Sequence, residues 1–202
     1  MGKLLANFIS VVFHPLFIPL YCVLIIFNSP IYIIYKLPEE AQFTTYIIVG
    51  IFTLLMPAGS TLMLLKMEGI SDIKMSTQKE RRLPFIMSTI FYATAYFSLE
   101  NVGFPKLITN ALLGATISLL VLFLLNYKQK TSAHMVGIGG LLGIVYAVSE
   151  IYIEGVSQFL FPSILLTGLV AYSRLRLNAH KPIEIYTGLL VGFFSEYLLQ
   201  WY

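Results

Sequence analysis

The stretch Ser173-Arg174-Leu175-Arg176-Leu177-Asn178-Ala179-His180-Lys181-Pro182-Ile183-Glu184-Ile185-Tyr186-Thr187-Gly188 is a short polar connector between two long apolar runs. An imidazole and a carboxylate four positions apart share one helical face, so Glu184 can orient the ring of His180. The guanidinium of Arg174, a few residues upstream, suits a planar or tetrahedral oxyanion. An activated histidine facing a phosphate needs these groups. An ordinary cationic loop at a membrane surface has the same composition, so the rest of the chain has to separate the two readings.

The 202 residues are 57% hydrophobic and only 11% charged, and the mean hydropathy is +0.81. A soluble domain carries roughly a quarter charged residues. Nearly every residue falls in apolar blocks long enough to cross a bilayer, which takes about 20 residues each. The expectation is one integral membrane domain over residues 1–202: an all-α, polytopic helix bundle with about seven (six to seven) transmembrane helices. Basic residues are confined to connectors and show no nucleic-acid footprint. Cys22 is the only cysteine, which excludes an intrachain disulfide and a cysteine-based metal site. The first apolar run is longer than a signal-peptide core and lacks a small-residue cleavage pattern, so it reads as a retained helix.

The expected spans are 4–27, broken by His14, Pro15 and Pro19; 41–67, bent at Pro57 and Gly59; 83–99; 107–127; 134–153; 156–172; and 182–199. His14 reads as a histidine packed at the proline kink, with a ligand or proton carrier as the alternative. The glycines Gly137, Gly139, Gly140 and Gly143 read as a close helix–helix contact in lipid. Glu150, Glu154 and Glu196 are expected near span ends in a solvated or headgroup-level position, with a second ion site as the alternative.

Seven spans return the connectors after the second, fourth and sixth to one membrane face. These three carry the ionisable clusters: Lys74, Lys79, Arg81 and Arg82; Ser132 and His134; Arg174, His180 and Glu184. Of the 13 Lys and Arg residues, only Lys36 and Lys106 fall on the other face. The positive-inside bias therefore puts the motif face, and the N-terminus, in the cytoplasm.

With these residues in place, the chain resembles the type-2 phosphatidic acid phosphatase (PAP2) superfamily, whose motifs are Lys-x6-Arg-Pro, Pro-Ser-Gly-His and Ser-Arg-x5-His-x3-Asp-x3-Gly. The third is matched by Ser173, Arg174, His180, Glu184 and Gly188, with Glu for Asp. The second is similar to Thr131-Ser132-Ala133-His134, with Thr for Pro and Ala for Gly. The first resembles Lys74, six residues, Arg81, then Arg82-Leu83-Pro84, with the proline displaced; Lys79 with Arg82 is the other register. The resemblance covers about residues 66–200. It implies a PAP2-like core and cofactor-free, metal-independent phosphoryl transfer through a phosphohistidine. His180 would be the nucleophile, Glu184 its orienting carboxylate and His134 the general acid and base. Lys74, Arg81 or Arg82, Ser132 and Arg174 would hold phosphate oxygens. A transferring phosphoryl group spreads charge over its oxygens, and three fixed cations can stabilise it.

The implied function is hydrolysis of a phosphomonoester or diphosphate on a lipid: phosphatidic acid, phosphatidylglycerol phosphate or a polyprenyl diphosphate. The partners are this lipid phosphate and the surrounding membrane lipids, and the location is a bacterial inner membrane. Glu for Asp lengthens the carboxylate arm by about 1.5 Å, which the backbone must absorb. The alternatives are a catalytically weak or inactive lipid-binding relative, and a small transporter with His14, Glu150 and Glu196 as a relay.

Overall fold

In a computed structural model, residues 2–152 and 156–202 are described, and among them every regular element is a helix. Glu154 and the end of the expected 134–153 span lie outside the described residues. Helices α1 (Gly2–Val12) and α2 (Ile18–Phe27) flank a one-turn 3-10 segment, Pro15–Phe17. A short α3 (Tyr32–Tyr35) follows, then α4 (Glu39–Val49), a π-helical stretch Gly50–Leu55 and α5 (Met56–Lys66). The remainder is α6 (Gln78–Glu100), α7 (Lys106–Leu125), α8 (Ala133–Ile151), a 3-10 turn Ser157–Phe159, α9 (Leu160–Arg176) and α10 (Pro182–Leu199).

Four segments among the described residues are long and apolar enough to cross a membrane: Gly2–Phe27, Glu39–Lys66, Lys106–Leu125 and Ala133–Ile151. Of the other long helices, α6 opens on five polar or charged residues, α9 has 17 residues, and α10 carries Glu184 and Glu196.

Proline explains both interruptions. Pro15 cannot continue α1, so His14 turns extended (φ −65°, ψ 138°) and its Nδ1 accepts the Leu16 N–H at 3.4 Å. The Tyr21 hydroxyl crosses the break to the Val12 carbonyl at 2.9 Å. Pro57 has no N–H for the carbonyl of Thr53 and crowds it, which widens the preceding turn into the π stretch. The Tyr92 hydroxyl from α6 reaches that freed carbonyl at 3.4 Å. Freed backbone groups in an apolar bundle need such partners.

The tightest helix pair is α8 with α10. A Cβ on Gly139 would lie 2.5 Å from the Leu189 carbonyl oxygen, and one on Gly143 would overlap that of Phe193. From the α10 side, Gly192 lies against the Val136 carbonyl and Gly188 against that of Ser132. Backbones pack directly, as small residues permit where lipid supplies no hydrophobic drive between helices. This contact sets α10 against the start of α8 and so brings the ends of the second and third connectors together.

Glu196 is a correction to the sequence reading. It is 3% exposed and lies within the bundle, not at a headgroup level. It continues the stripe Gly188, Gly192, Glu196 at four-residue spacing, which is the α10 face turned to α8, so the helix carries it inward. Glu150, by contrast, is exposed and accepts a hydrogen bond from the Tyr197 hydroxyl at 3.1 Å.

Candidate functional site

The site is built where three helix starts and one helix end converge. Helix α9 ends in a turn that reverses the chain. Asn178 adopts φ +51°, the Asn178 N–H bonds the Leu175 carbonyl at 2.9 Å, and the Ala179 N–H bonds that of Arg174 at 3.1 Å. Asparagine tolerates this left-handed position better than most residues. The turn delivers His180 two residues later. Helix α10 then starts with Pro182 in its first turn and Glu184 at its third position.

Glu184 has two tasks. Its Oε2 accepts the Lys181 N–H at 3.1 Å, capping α10, and lies 3.0 Å from His180 Nδ1. A glutamate is the residue that reaches back from the third position of a helix. His180 Nδ1 is also 3.0 Å from the Lys130 carbonyl. Both neighbours are acceptors, so Nδ1 carries the hydrogen and Nε2 keeps the lone pair. The ring is 9% exposed. Burial, with the charges of Arg81 and Arg174, lowers its pKa to about 4 against the opposing pull of Glu184. His180 is therefore unprotonated at neutral pH.

The second connector meets the third through backbone: the Ser132 N–H donates to the Glu184 carbonyl at 3.1 Å. It meets the first through Asn126 Nδ2, which donates to the Gln78 carbonyl at 2.6 Å, and through Arg81 Nη1, 3.5 Å from the Thr131 carbonyl. His134 sits in the first turn of α8. Its Nε2 is 3.1 Å from the Ser10 carbonyl, so Nε2 is the donor and Nδ1 the free nitrogen of the neutral ring. His134 and His180 are within electrostatic reach of each other and of Arg174.

Arg81 is 7% exposed, and its Nε donates to the Met75 carbonyl at 2.9 Å. Met75 holds φ +47° to present that carbonyl, a backbone position non-glycine residues rarely take. Burial and then Arg174 lower the Arg81 pKa to about 10, which leaves it a cation at neutral pH. The start of α6 is fixed by a capping box between Thr77 and Glu80. The Glu80 carboxylate also takes the Ser71 hydroxyl and N–H, and these bonds with those from Thr77 lower its pKa to about 2. Arg174 gives Nη1 to the Ser10 hydroxyl at 2.9 Å, while its buried Nε has no partner among the described residues. The Ser132 and Thr131 hydroxyls are fully buried and also unpartnered. Orphaned hydroxyls beside a helix N-terminus, with the buried Arg81 and the half-buried Arg174, make an anion-binding arrangement.

The structure thus brings together His180, Glu184, His134, Ser132, Arg81 and Arg174. It does not bring in Arg82 or Lys74. Adjacent helical positions point about 100° apart, so with Arg81 inward the Arg82 guanidinium lies over the Tyr127 ring, 4.2 Å from its centroid. Lys74 and Lys79 are exposed.

Three residues that the sequence reading did not assign to the site belong to the same cluster. Lys130 interacts electrostatically with Arg81, Glu184 and Arg174; burial and then Arg81 lower its pKa. Ser10 binds Arg174 and His134, and its hydroxyl is 2.8 Å from that of Ser173, which in turn donates to the Ala6 carbonyl at 2.7 Å. His14 stands edge-on to His134, ring centroids 5.2 Å apart. The unusual His-Pro pair inside an apolar run was the only sequence signal for this first-helix contribution. Beside the cluster, a cleft of ≈ 510 Å³ lies between the three connectors, lined by Ser76, Gln78, Lys128, Lys130, Lys181 and Glu184.

Comparison of the chain with protein-family models, curated proteins and solved structures finds no match in any of the three.

Proposed function

We propose that this chain is a seven-span membrane phosphatase, PAP2-like in its motifs, that hydrolyses a lipid phosphomonoester or diphosphate through a phosphohistidine. The observation that carries the reading is the His180 ring. Two acceptors hold its Nδ1–H, its Nε2 is unprotonated at neutral pH, and the ring lies within electrostatic reach of Arg81 and Arg174.

In this mechanism His180 Nε2 attacks phosphorus, and the bond from phosphorus to the lipid oxygen breaks. His134, a neutral ring in the free protein, takes up a proton from water at Nδ1 as the anionic phosphate binds and gives it to that leaving oxygen. Water then attacks the phosphohistidine, with His134 Nδ1 taking its proton, and inorganic phosphate leaves. Glu184 and the Lys130 carbonyl stabilise the positive ring of the phosphorylated His180, and the Ser10 carbonyl does so for the His134 imidazolium. Arg81, Arg174 and Lys130 neutralise charge on the phosphoryl oxygens, with Ser132 and Thr131 as hydroxyl donors.

The tail of the substrate stays in the bilayer, which suits phosphatidic acid, phosphatidylglycerol phosphate or a polyprenyl diphosphate. The cationic connectors face the cytoplasm of a bacterial inner membrane in this reading. A cytoplasm-dependent reporter fused after Tyr202 stays inactive if seven spans and this orientation hold. Phosphate release from these lipids in detergent micelles, with acid-labile radiolabelled phosphate trapped on His180, tests the chemistry. Turnover unchanged in His180→Ala removes the mechanism. A second reading, a lipid-binding relative without turnover, is favoured by the solvent-exposed Lys74; a trapped phosphohistidine excludes it.

A further inference from the structure

The phosphate chemistry has no use for Glu196, which lies about 18 Å along α10 from Glu184 at 1.5 Å per residue. Its neighbours are Gly114, near the middle of the 20-residue α7, and Gly140, near the middle of the 19-residue α8. It therefore sits at mid-depth of two apolar helices. Glycine makes the room: a Cβ on Gly140 would meet Glu196 Cγ at 3.2 Å, and one on Gly114 would overlap the carboxylate.

Among the described residues Glu196 Oε2 has no hydrogen-bond partner, and neither has the hydroxyl of Ser118, one turn after Gly114 on α7 and 4% exposed. Both line one cavity of ≈ 70 Å³ between α2, α6, α7, α8 and α10. The other titratable groups on its wall are Cys22 from α2 and Tyr92 from α6, each within electrostatic reach of Glu196. Tyr92 already donates to Thr53. Among the described residues no Lys, Arg or His lines the cavity. An ionised carboxylate here would be a buried charge without a counter-charge, the costliest state available to it. A neutral acid has one O–H to donate and a carbonyl oxygen to accept, and Ser118 offers the same pair. The rest of the wall is mostly apolar, so the waters the cavity can hold, each needing about 10–15 Å³ and polar partners, gather at these groups.

We propose that Glu196 is a proton-binding site at the centre of the bundle, a carboxylic acid solvated together with Ser118 by a few internal waters. The site stands apart from the phosphatase reading and survives its failure. Infrared difference spectroscopy of the purified full chain at pH 7 tests it. The expected result is a protonated-carboxyl C=O band that shifts in D2O, is lost in Glu196→Gln, and moves to higher wavenumber in Ser118→Ala. An ionised-carboxylate band in the wild-type minus Glu196→Gln difference overturns the proposal. So does a band that ignores D2O or Ser118→Ala, or one that sodium ions abolish, since that marks a metal-cation site. Dicyclohexylcarbodiimide, which reacts with protonated carboxyls in apolar surroundings, needs no variant: mass spectrometry is expected to find the adduct on Glu196. Adducts on Glu150 with none on Glu196 overturn it equally.

Discussion

Replacing Glu184 by glutamine removes a charge and keeps the shape. The single oxygen Oε2 serves both His180 Nδ1 at 3.0 Å and the Lys181 N–H at 3.1 Å, and the amide oxygen can take its place. What is lost is the charge-assisted character of these bonds. A hydrogen bond to a charged group contributes about 1.5–3 kcal/mol and a neutral one about 0.5–1.5, so in the proposed mechanism about 1–2 kcal/mol of support for the positively charged phosphoimidazole disappears. At 1.36 kcal/mol per factor of ten, kcat at pH 7 falls by about tenfold. Glu184 raises the His180 pKa, while burial, Arg81 and Arg174 lower it to about 4. Wild-type activity is thus expected to be lost as pH falls through about 4, and in Glu184→Gln the same acid limb moves lower still. The decrease at pH 7 then comes from the charged intermediate and not from a protonated nucleophile. Lipid phosphate hydrolysis in mixed micelles between pH 3.5 and 8 measures both. A variant within twofold of wild type at pH 7, or an acid limb shifted upward, refutes the reasoning.

Gly188→Ala puts a Cβ 2.7 Å from the Ser132 carbonyl oxygen and 3.0 Å from Met135 Cβ. Pushing α10 off α8 costs about 1–3 kcal/mol, seen as a lower Tm, whereas Gly59→Ala, with nothing within 4 Å, leaves Tm where it is or slightly higher. Arg81→Lys loses the fork between the first and second connectors and weakens inhibition by inorganic phosphate or vanadate at least tenfold; Arg82→Lys changes that inhibition little and reports on the contact with Tyr127, worth about 0.5–1 kcal/mol. Lys130→Ala raises KM for the lipid phosphate several-fold while Lys74→Ala leaves it unchanged, the reverse of what the motif alignment implies. Thermal unfolding measured against pH shows stability decreasing as pH falls from about 6.5 towards 4, because His180 is buried neutral and the unfolded chain takes up its proton first; the upper limit from this group is about 3 kcal/mol.

The sequence by itself determined the helical class and the grouping of polar connectors, because apolar runs of span length separated by clustered charges leave the backbone few other choices. It also carried the pairing of His180 with Glu184, since four-residue spacing at a helix start is local geometry. The tertiary structure alone decided which cations reach the site: Arg81 rather than Arg82, and Lys130 rather than Lys74. Lysines in connectors look alike along a chain, and only the docking of α8 and α10 through facing glycines selects among them. Contacts between Ser10 or His14 and His134 span more than 100 residues and follow no spacing rule. Glu196 shows the same limit. Near a span end it read as a headgroup-level acid, yet the glycine stripe it continues turns it inward, because the face a residue occupies on a packed helix depends on what the neighbouring helix leaves open.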